Sequence, residues 1–376
     1  MDFGYDDEQI ALSELGRRIL FELATNDRTR EVELMTLEGG DGVDRPLLAA
    51  LAKAGLLAAP LGEESGGAGL GFIGACLLVE EVGRSGAAVP VLETLVLGAL
   101  PIERFGSPSL RSALLGNIAD GSAIATAALV EDLGDPRSPA TTATPLDGGW
   151  QLDGVKSCVP AGLIAERVLV GATLPDGSTG VFALDPEVPG VTRERQETTI
   201  RRPEARLVID GATVGSDALL SPDDPGEVLG WIVDRATAAY CVMAAGGCEA
   251  ALSLTAEYVK TREQFDRPLA SFQAVGQRAA DAYIDTTAVR LTAWQAVWRL
   301  AAGLPAADEV AIAKFWASEG GQRVVHACHH LHGGVGMDRT YPLHRYFLLS
   351  KYLELALGGA APQLAEIGRR MALTST

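Results

Sequence analysis

All five histidines of the chain fall between positions 326 and 344. His326, His329 and His330 recur at i, i+3 and i+4, which places three imidazoles on one helix face, the spacing of a transition-metal ligand set. No carboxylate completes that set, and the cysteine beside them, Cys328, points to another part of the helix. A polar seam near an interface is the reading we keep, with no metal. Glu80, Glu81 and Glu249 read as solvated helix faces. Two segments are more specific than any of these groups. One is Thr261-Arg262-Glu263-Gln264-Phe265-Asp266-Arg267-Pro268, ending in Ser271-Phe272-Gln273-Ala274. The other is His330-Leu331-His332-Gly333-Gly334-Val335-Gly336, followed by Tyr341-Pro342-Leu343-His344-Arg345.

The 376 residues are 47% hydrophobic and 21% charged, enough for two or three domains with cores and too apolar for a disordered chain. A net charge of −18 argues against a basic nucleic-acid surface or a polybasic membrane patch. Five of the 31 basic residues are Lys, so anions would be met mainly by forked guanidinium contacts. No apolar run reaches the ~18 residues that span a bilayer. The acidic opening MDFGYDDEQI lacks the basic and apolar regions of a secretory signal. Five scattered cysteines, odd in number, suit the reducing cytoplasm.

These residues must be carried by three segments. Residues 1–118 read as an N-terminal helical domain, with Leu12, Leu15 and Ile19 on one face and Leu47, Leu48, Leu51 and Leu56 on another. The Gly-rich break Ser65-Gly66-Gly67-Ala68-Gly69 precedes a third helix near Phe72–Gly83. Residues 119–222 carry short β-type runs, Ile124–Val130, Arg167–Leu174, Gly180–Leu184 and Arg206–Ile209. Turn-type pairs Asp147-Gly148, Asp153-Gly154, Asp176-Gly177 and Asp210-Gly211 separate them, so the domain reads as an antiparallel sheet or barrel. After the linker Ser221–Gly226, residues 227–376 read as long helices, about Leu229–Thr261, Ser271–Ala302, Ala306–Leu331 and Pro342–Leu357. Ala244-Ala245-Gly246-Gly247 suits close packing in a four-helix bundle. The fold class is α+β.

With this order of domains, the two quoted segments and the Gly-rich break resemble the acyl-CoA dehydrogenase family over essentially the whole chain. The C-terminal part is most similar to the actinobacterial members that act on CoA thioesters of steroid side chains. The resemblance implies FAD shared between two subunits, one holding the flavin ring with its β domain and the neighbour holding the ADP end. Arg262, Phe265 and Gln273 match the ADP-side pattern, with Gln264 and Phe272 beside them, and Gly333 and Gly334 match its Gly-Gly element. His330 stands where the family has Gln, and His332 and His344 fall close to the nucleotide. A guanidinium grips a diphosphate bidentately, and glycines let backbone N–H groups approach it. On the flavin side the match fails. Ala128-Leu129-Val130-Glu131-Asp132-Leu133-Gly134-Asp135 replaces the usual Thr-Glu-Pro…Gly-Ser-Asp, and Lys156-Ser157-Cys158-Val159 offers Ser157 without the aromatic.

Resemblance also places the catalytic base, and no carboxylate stands there. The chemistry it implies needs a desolvated carboxylate whose pKa rises toward the working pH. Yet the usual position falls on Leu357, and the alternative one, aligned on Arg262, falls on about Ala236, with the weak candidate Asp234 and Arg235 beside it. Glu354, one turn earlier, would sit about 4.5 Å along a helix axis from the usual place, where even ~1 Å can cost ~10²-fold in rate. Two functions remain. The first is a partner subunit of a heteromeric α₂β₂ complex that lends the ADP half of the FAD site. That complex would oxidise a bulky acyl-CoA to the 2,3-enoyl-CoA and pass electrons to an electron-transfer flavoprotein. The second is a self-sufficient dehydrogenase with an unorthodox base. A helical scaffold without nucleotide would require the Arg–Phe–Gln spacing to be accidental.

Overall fold

A computed structural model describes residues 4–132, 134–221, 223 and 225–374; Leu133 of the flavin-side stretch and Pro222 and Asp224 of the linker lie outside them. Helical periodicity at both ends and β-branched runs between them give helices, then strands, then helices. The first set is α1 (Asp7–Leu23), α2 (Asn26–Leu37), α3 (Arg45–Lys53), α4 (Gly71–Ser85), a π-helix at Leu92–Ala99, α5 (Leu100–Phe105) and α6 (Pro108–Ala119). Strands follow as β1 (Ala125–Ala128), β2 (Thr142–Leu146), β3 (Gly149–Val159), β4 (Arg167–Thr173), β5 (Thr179–Leu184), β6 (Val191–Gln196) and β7 (Glu204–Gly215). The last set is α7 (Gly226–Thr261), the two-residue strands β8 (Glu263–Gln264) and β9 (Arg267–Pro268), α8 (Gln273–Ala301), α9 (Ala307–His332), α10 (Leu343–Leu355) and α11 (Ala360–Thr374). The chain divides into two units, Met1–Ile19 with Val32–Leu78 and Ala88–Ala236, and Leu20–Glu31 with Val79–Ala87 and Thr237–Thr376.

The first unit holds a seven-stranded sheet of order β1-β4-β2-β3-β7-β6, with β5 on the far side of β4. β1 and β2 run parallel to β4 and the other pairs are antiparallel. Two of the four Asp-Gly pairs are turns, but Asp153-Gly154 and Asp210-Gly211 lie inside β3 and β7. There the register slips between Leu152 and Gly154, and Gly211 N–H donates to Asp153 Oδ1 at 2.7 Å. The same residues that close a turn also absorb the extra residue of a bulge, so these two mark a bend rather than an end. Ser221 does not behave as a slack linker, since its N–H donates to the Phe105 carbonyl at 2.9 Å.

In the second unit the small residues of α7 do what their size predicts. A Cβ on Gly246 would strike the Glu80 carbonyl, and one on Gly83 would strike that of Met243, so the ends of α4 and α7 in this unit cross with backbones in contact. Cys248, Ala251, Ala282, Val324, Cys328 and Leu343 form a core where α7, α8, α9 and α10 meet. α7 is also long and apolar enough to cross a membrane, contrary to the expectation that no such run exists, and most of its apolar window is buried inside the protein. Glu80 and Glu81 are not solvated either. Glu80 is 3% exposed and accepts from Arg290 Nε at 2.9 Å and Trp294 Nε1 at 3.2 Å, while Glu81 accepts from Arg84 at 3.1 Å. Arg84 also reaches Glu249 at 2.6 Å.

Candidate functional site

The Arg262 segment is a tight hairpin between α7 and α8. Arg262 N–H donates to the Tyr258 carbonyl at 2.8 Å and Leu269 N–H to the Arg262 carbonyl at 2.9 Å, closing a loop in which Glu263 pairs with Pro268 and Gln264 with Arg267. The two turn residues, Phe265 (φ 55°) and Asp266 (φ 62°), are both left-handed, a conformation that glycine adopts without penalty and a side chain pays ~1 kcal/mol or more to enter. Nothing inside the unit rewards it, because Phe265 is 85% exposed. Its ring meets Phe272 edge-on at 6.2 Å, and the Arg267 guanidinium lies 4.0 Å over Phe272. Arg262, Gln264 and Gln273 are exposed, and the Arg262 guanidinium has no hydrogen bond or ion pair among the described residues. Gln264 Nε2 donates to the neighbouring Glu263 carbonyl at 2.9 Å.

The end of α9 lies at the same end of the bundle, and one stack fixes that. Tyr258, four residues before Arg262, lies flat on His332 with ring centroids 4.3 Å apart and planes at 19°. His332 is buried, its Nδ1–H donating to the Cys328 carbonyl at 2.9 Å and its Nε2 accepting from Tyr341 Oη at 3.1 Å. Burial lowers its pKa against that carbonyl bond, which keeps the ring neutral. Both ring nitrogens are therefore committed inside the chain, and His332 positions the next residues rather than reaching outward. Gly333 follows at φ 59°, ψ −136°, and Gly334 has nothing within 4 Å of where a Cβ would sit. Both are exposed. His330 is exposed, His344 Nδ1 donates to the Tyr341 carbonyl at 2.8 Å, and His326 and His329 face the Phe347 ring at 5.1 and 4.8 Å. Among the described residues no group of three or more His, Cys, Asp or Glu could hold a metal ion.

At the base position the helix has already ended. α10 stops at Leu355, and Leu357 stands beyond it in the left-handed region (φ 56°) before Gly358 (φ 94°). The helix-axis offset reckoned for Glu354 therefore does not apply. Glu354 ion-pairs with Lys351 at 2.7 Å. Buried Lys314 closes the helix by donating to the Leu353 and Glu354 carbonyls, and burial brings its ammonium down to about 8. At the alternative position Ala236 is buried. Asp234 is tied to Arg137 at 2.6 Å, and Arg235 stacks 3.8 Å over Trp231.

The flavin-side stretch is filled by its own side chains. Glu131 accepts from Lys156 Nζ at 2.6 Å, Thr141 Oγ1 at 2.6 Å, and the N–H groups of Ala140 and Thr141 at 2.5 and 3.0 Å. Burial alone would raise its carboxyl, but these donors outweigh it and hold it at about 2. Ser157 Oγ donates to Asp132 Oδ1 at 2.8 Å, and Val130 bridges Ser157.

This architecture and these segments define the protein's class. Residues 7–122 match the N-terminal domain of acyl-CoA dehydrogenases and residues 228–372 their C-terminal domain. The chain belongs to the acyl-CoA dehydrogenase family, FAD-dependent oxidoreductases that act on acyl-CoA. It is 38% identical to the acyl-CoA dehydrogenase FadE27 of Mycobacterium tuberculosis, with all of both chains aligned. It is similar to a chain of a variant of the Tcur3481–Tcur3483 steroid ACAD, at 42% identity and a TM-score of 0.91, covering 98% of this chain and 99% of that one. A chain of the ChsE4–ChsE5 complex of M. tuberculosis matches at 39% identity and a TM-score of 0.92, covering 99% of each.

Proposed function

We propose that this chain is the flavin-completing subunit of a heteromeric acyl-CoA dehydrogenase, lending the ADP half of an FAD site whose ring half and base belong to a partner. The observation that carries this reading is an asymmetry. Arg262, Phe265, Gln273, Gly333 and Gly334 are exposed at one end of a bundle, held there by a strained hairpin and the Tyr258–His332 stack, and the chain itself makes no use of them. That set fits a diphosphate with an adenosine, a free forked cation beside backbone with no Cβ in the way. The β1–β3 stretch fits a flavin ring poorly, because the Ser157 hydroxyl is already spent on Asp132. Bound FAD supplies hydride acceptance from Cβ of the acyl group. In this chain Arg262 would hold the diphosphate, Phe265 would cover the nucleotide, and Gly333 and Gly334 would offer backbone N–H groups.

The α-proton cannot be taken at Leu357 or Ala236, so a carboxylate of the partner takes it. Paired Glu354 gives the self-sufficient alternative no support. Two of the similar structures are complexes of two named chains, and one is named a steroid ACAD. We therefore assign the complex a bulky steroid side-chain acyl-CoA and an electron-transfer flavoprotein as electron acceptor. Five free thiols, four of them buried, agree with a cytoplasmic setting. Arg262→Ala tests the assignment. It should lower flavin affinity of the co-purified complex at least tenfold, and unchanged flavin content would overturn it.

A further inference from the structure

Three rings from three separate stretches of the chain meet where the Arg262 hairpin and the Gly333-Gly334 turn leave the bundle. Tyr258 belongs to the last turn of α7, His332 closes α9, and Tyr341 precedes α10. Ring centroids lie 4.3 Å apart for Tyr258 and His332, 5.2 Å for His332 and Tyr341, and 6.4 Å for Tyr258 and Tyr341. The Tyr341 hydroxyl donates to His332 Nε2 at 3.1 Å, nine positions back along the chain. That bond joins the two ends of the loop that carries Gly333 and Gly334. The loop needs such a tie, because three of its first four residues are glycine, and glycine loses the most conformational freedom on ordering. Its far half has ties of its own, since Asn26 Nδ2 donates to the Thr340 carbonyl at 3.0 Å and Arg345 donates to Asn26 Oδ1 at 2.6 Å. In the near half a Cβ on Gly336 would sit 3.3 Å from the His329 carbonyl and from His332 Cβ, so the loop folds back against the residue that ends the helix.

One form of the His332 ring suits this role. Nδ1–H donates to the Cys328 carbonyl at 2.9 Å, which leaves Nε2 as the acceptor that the Tyr341 hydroxyl needs. Burial favours that neutral form. The flat face of the same ring carries Tyr258, whose carbonyl accepts the Arg262 N–H at 2.8 Å. One imidazole therefore links the base of the hairpin to both ends of the glycine loop. Phenylalanine could supply the stack and glutamine the polar contacts; histidine supplies both. A diphosphate gripped by Arg262 on one arm and by backbone N–H groups on the other needs the two arms at a fixed spacing, to within ~0.5 Å in a well-formed site.

We propose that His332 and Tyr341 are positioning residues for a nucleoside diphosphate, their mutual hydrogen bond holding the Gly333-Gly334 backbone at a fixed distance from Arg262. This rests on the reading that this end of the bundle lends the ADP half of the FAD site. The test titrates ADP into the full chain by calorimetry, well below its melting temperature, where a loss of global stability leaves the affinity of the folded protein unchanged. Arg262→Ala probes the underlying reading and should weaken ADP at least tenfold. His332→Phe and Tyr341→Phe should each weaken it about fivefold, and the double variant also about fivefold, because both changes remove the same bond. Tyr258→Leu should weaken ADP as well, and Tyr258→Phe should restore most of what the leucine loses. Unchanged affinity in either single variant, or losses that multiply to about 25-fold in the double variant, would overturn the assignment while Arg262→Ala still weakens binding. ADP that fails to bind wild type, or that binds wild type and Arg262→Ala alike, would overturn it together with the reading on which it rests.

Discussion

The Ser157 hydroxyl donates to the Asp132 carboxylate at 2.8 Å. One residue away on both strands' sides, Lys156 meets Glu131 at 2.6 Å. Two consecutive residues before the loop and two consecutive residues on β3 thus satisfy one another. The stretch is thereby turned into internal structure. Its energetic consequence is measurable without any ligand.

Glu131 contributes stability that is fully present above its unfolded pKa of 4.5 and is lost as pH falls through its folded value of about 2. Wild type should therefore lose stability steeply between pH 4.5 and 2. Glu131→Gln should be less stable at pH 7 by about 3 kcal/mol, because it strands buried Lys156, and its acid limb should be flatter over that window. Urea unfolding at several pH values reads both effects.

Phe265→Gly should leave the isolated chain at least as stable as wild type. The ~1 kcal/mol of left-handed strain released offsets the extra backbone entropy of glycine, and an 85%-exposed ring gives up little burial. The same variant should weaken flavin retention in the complex. Denaturation midpoints and flavin absorbance separate the two effects.

Lys314→Met keeps the volume but leaves the Leu353 carbonyl without its buried donor and the Glu354 carbonyl with Ser318 Oγ alone, so it should cost about 2 kcal/mol. Because the folded ammonium sits at about 8, below its unfolded 10.5, wild type binds fewer protons folded than unfolded in that range. Its stability should rise from pH 8 to 10.5 relative to the variant. Calorimetric melts across that range check the sign.

Glu354→Gln should leave the rate of the assembled complex within about twofold of wild type, since Glu354 is spent on Lys351. A drop of ~10²-fold or more would instead make it the base.

Helices and strands were legible because each is announced by local periodicity and turn residues. The Arg262 segment stood out because its motif is carried by fourteen consecutive positions from Thr261 to Ala274, although its hairpin shape did not. What escaped was set by partners far along the chain. Glu80 looked solvated because Arg290 and Trp294 are more than 200 residues away. Asp153-Gly154 and Asp210-Gly211 looked like turns because bulges use the same residues. α10 ended at Leu355 because Lys314, on another helix, takes its last carbonyls.

The central claim is tested most directly by purifying the chain alone and measuring FAD per polypeptide from its visible absorbance. The account predicts little or no flavin, with occupancy restored when a base-bearing partner subunit is added. About one FAD per chain without a partner would contradict it.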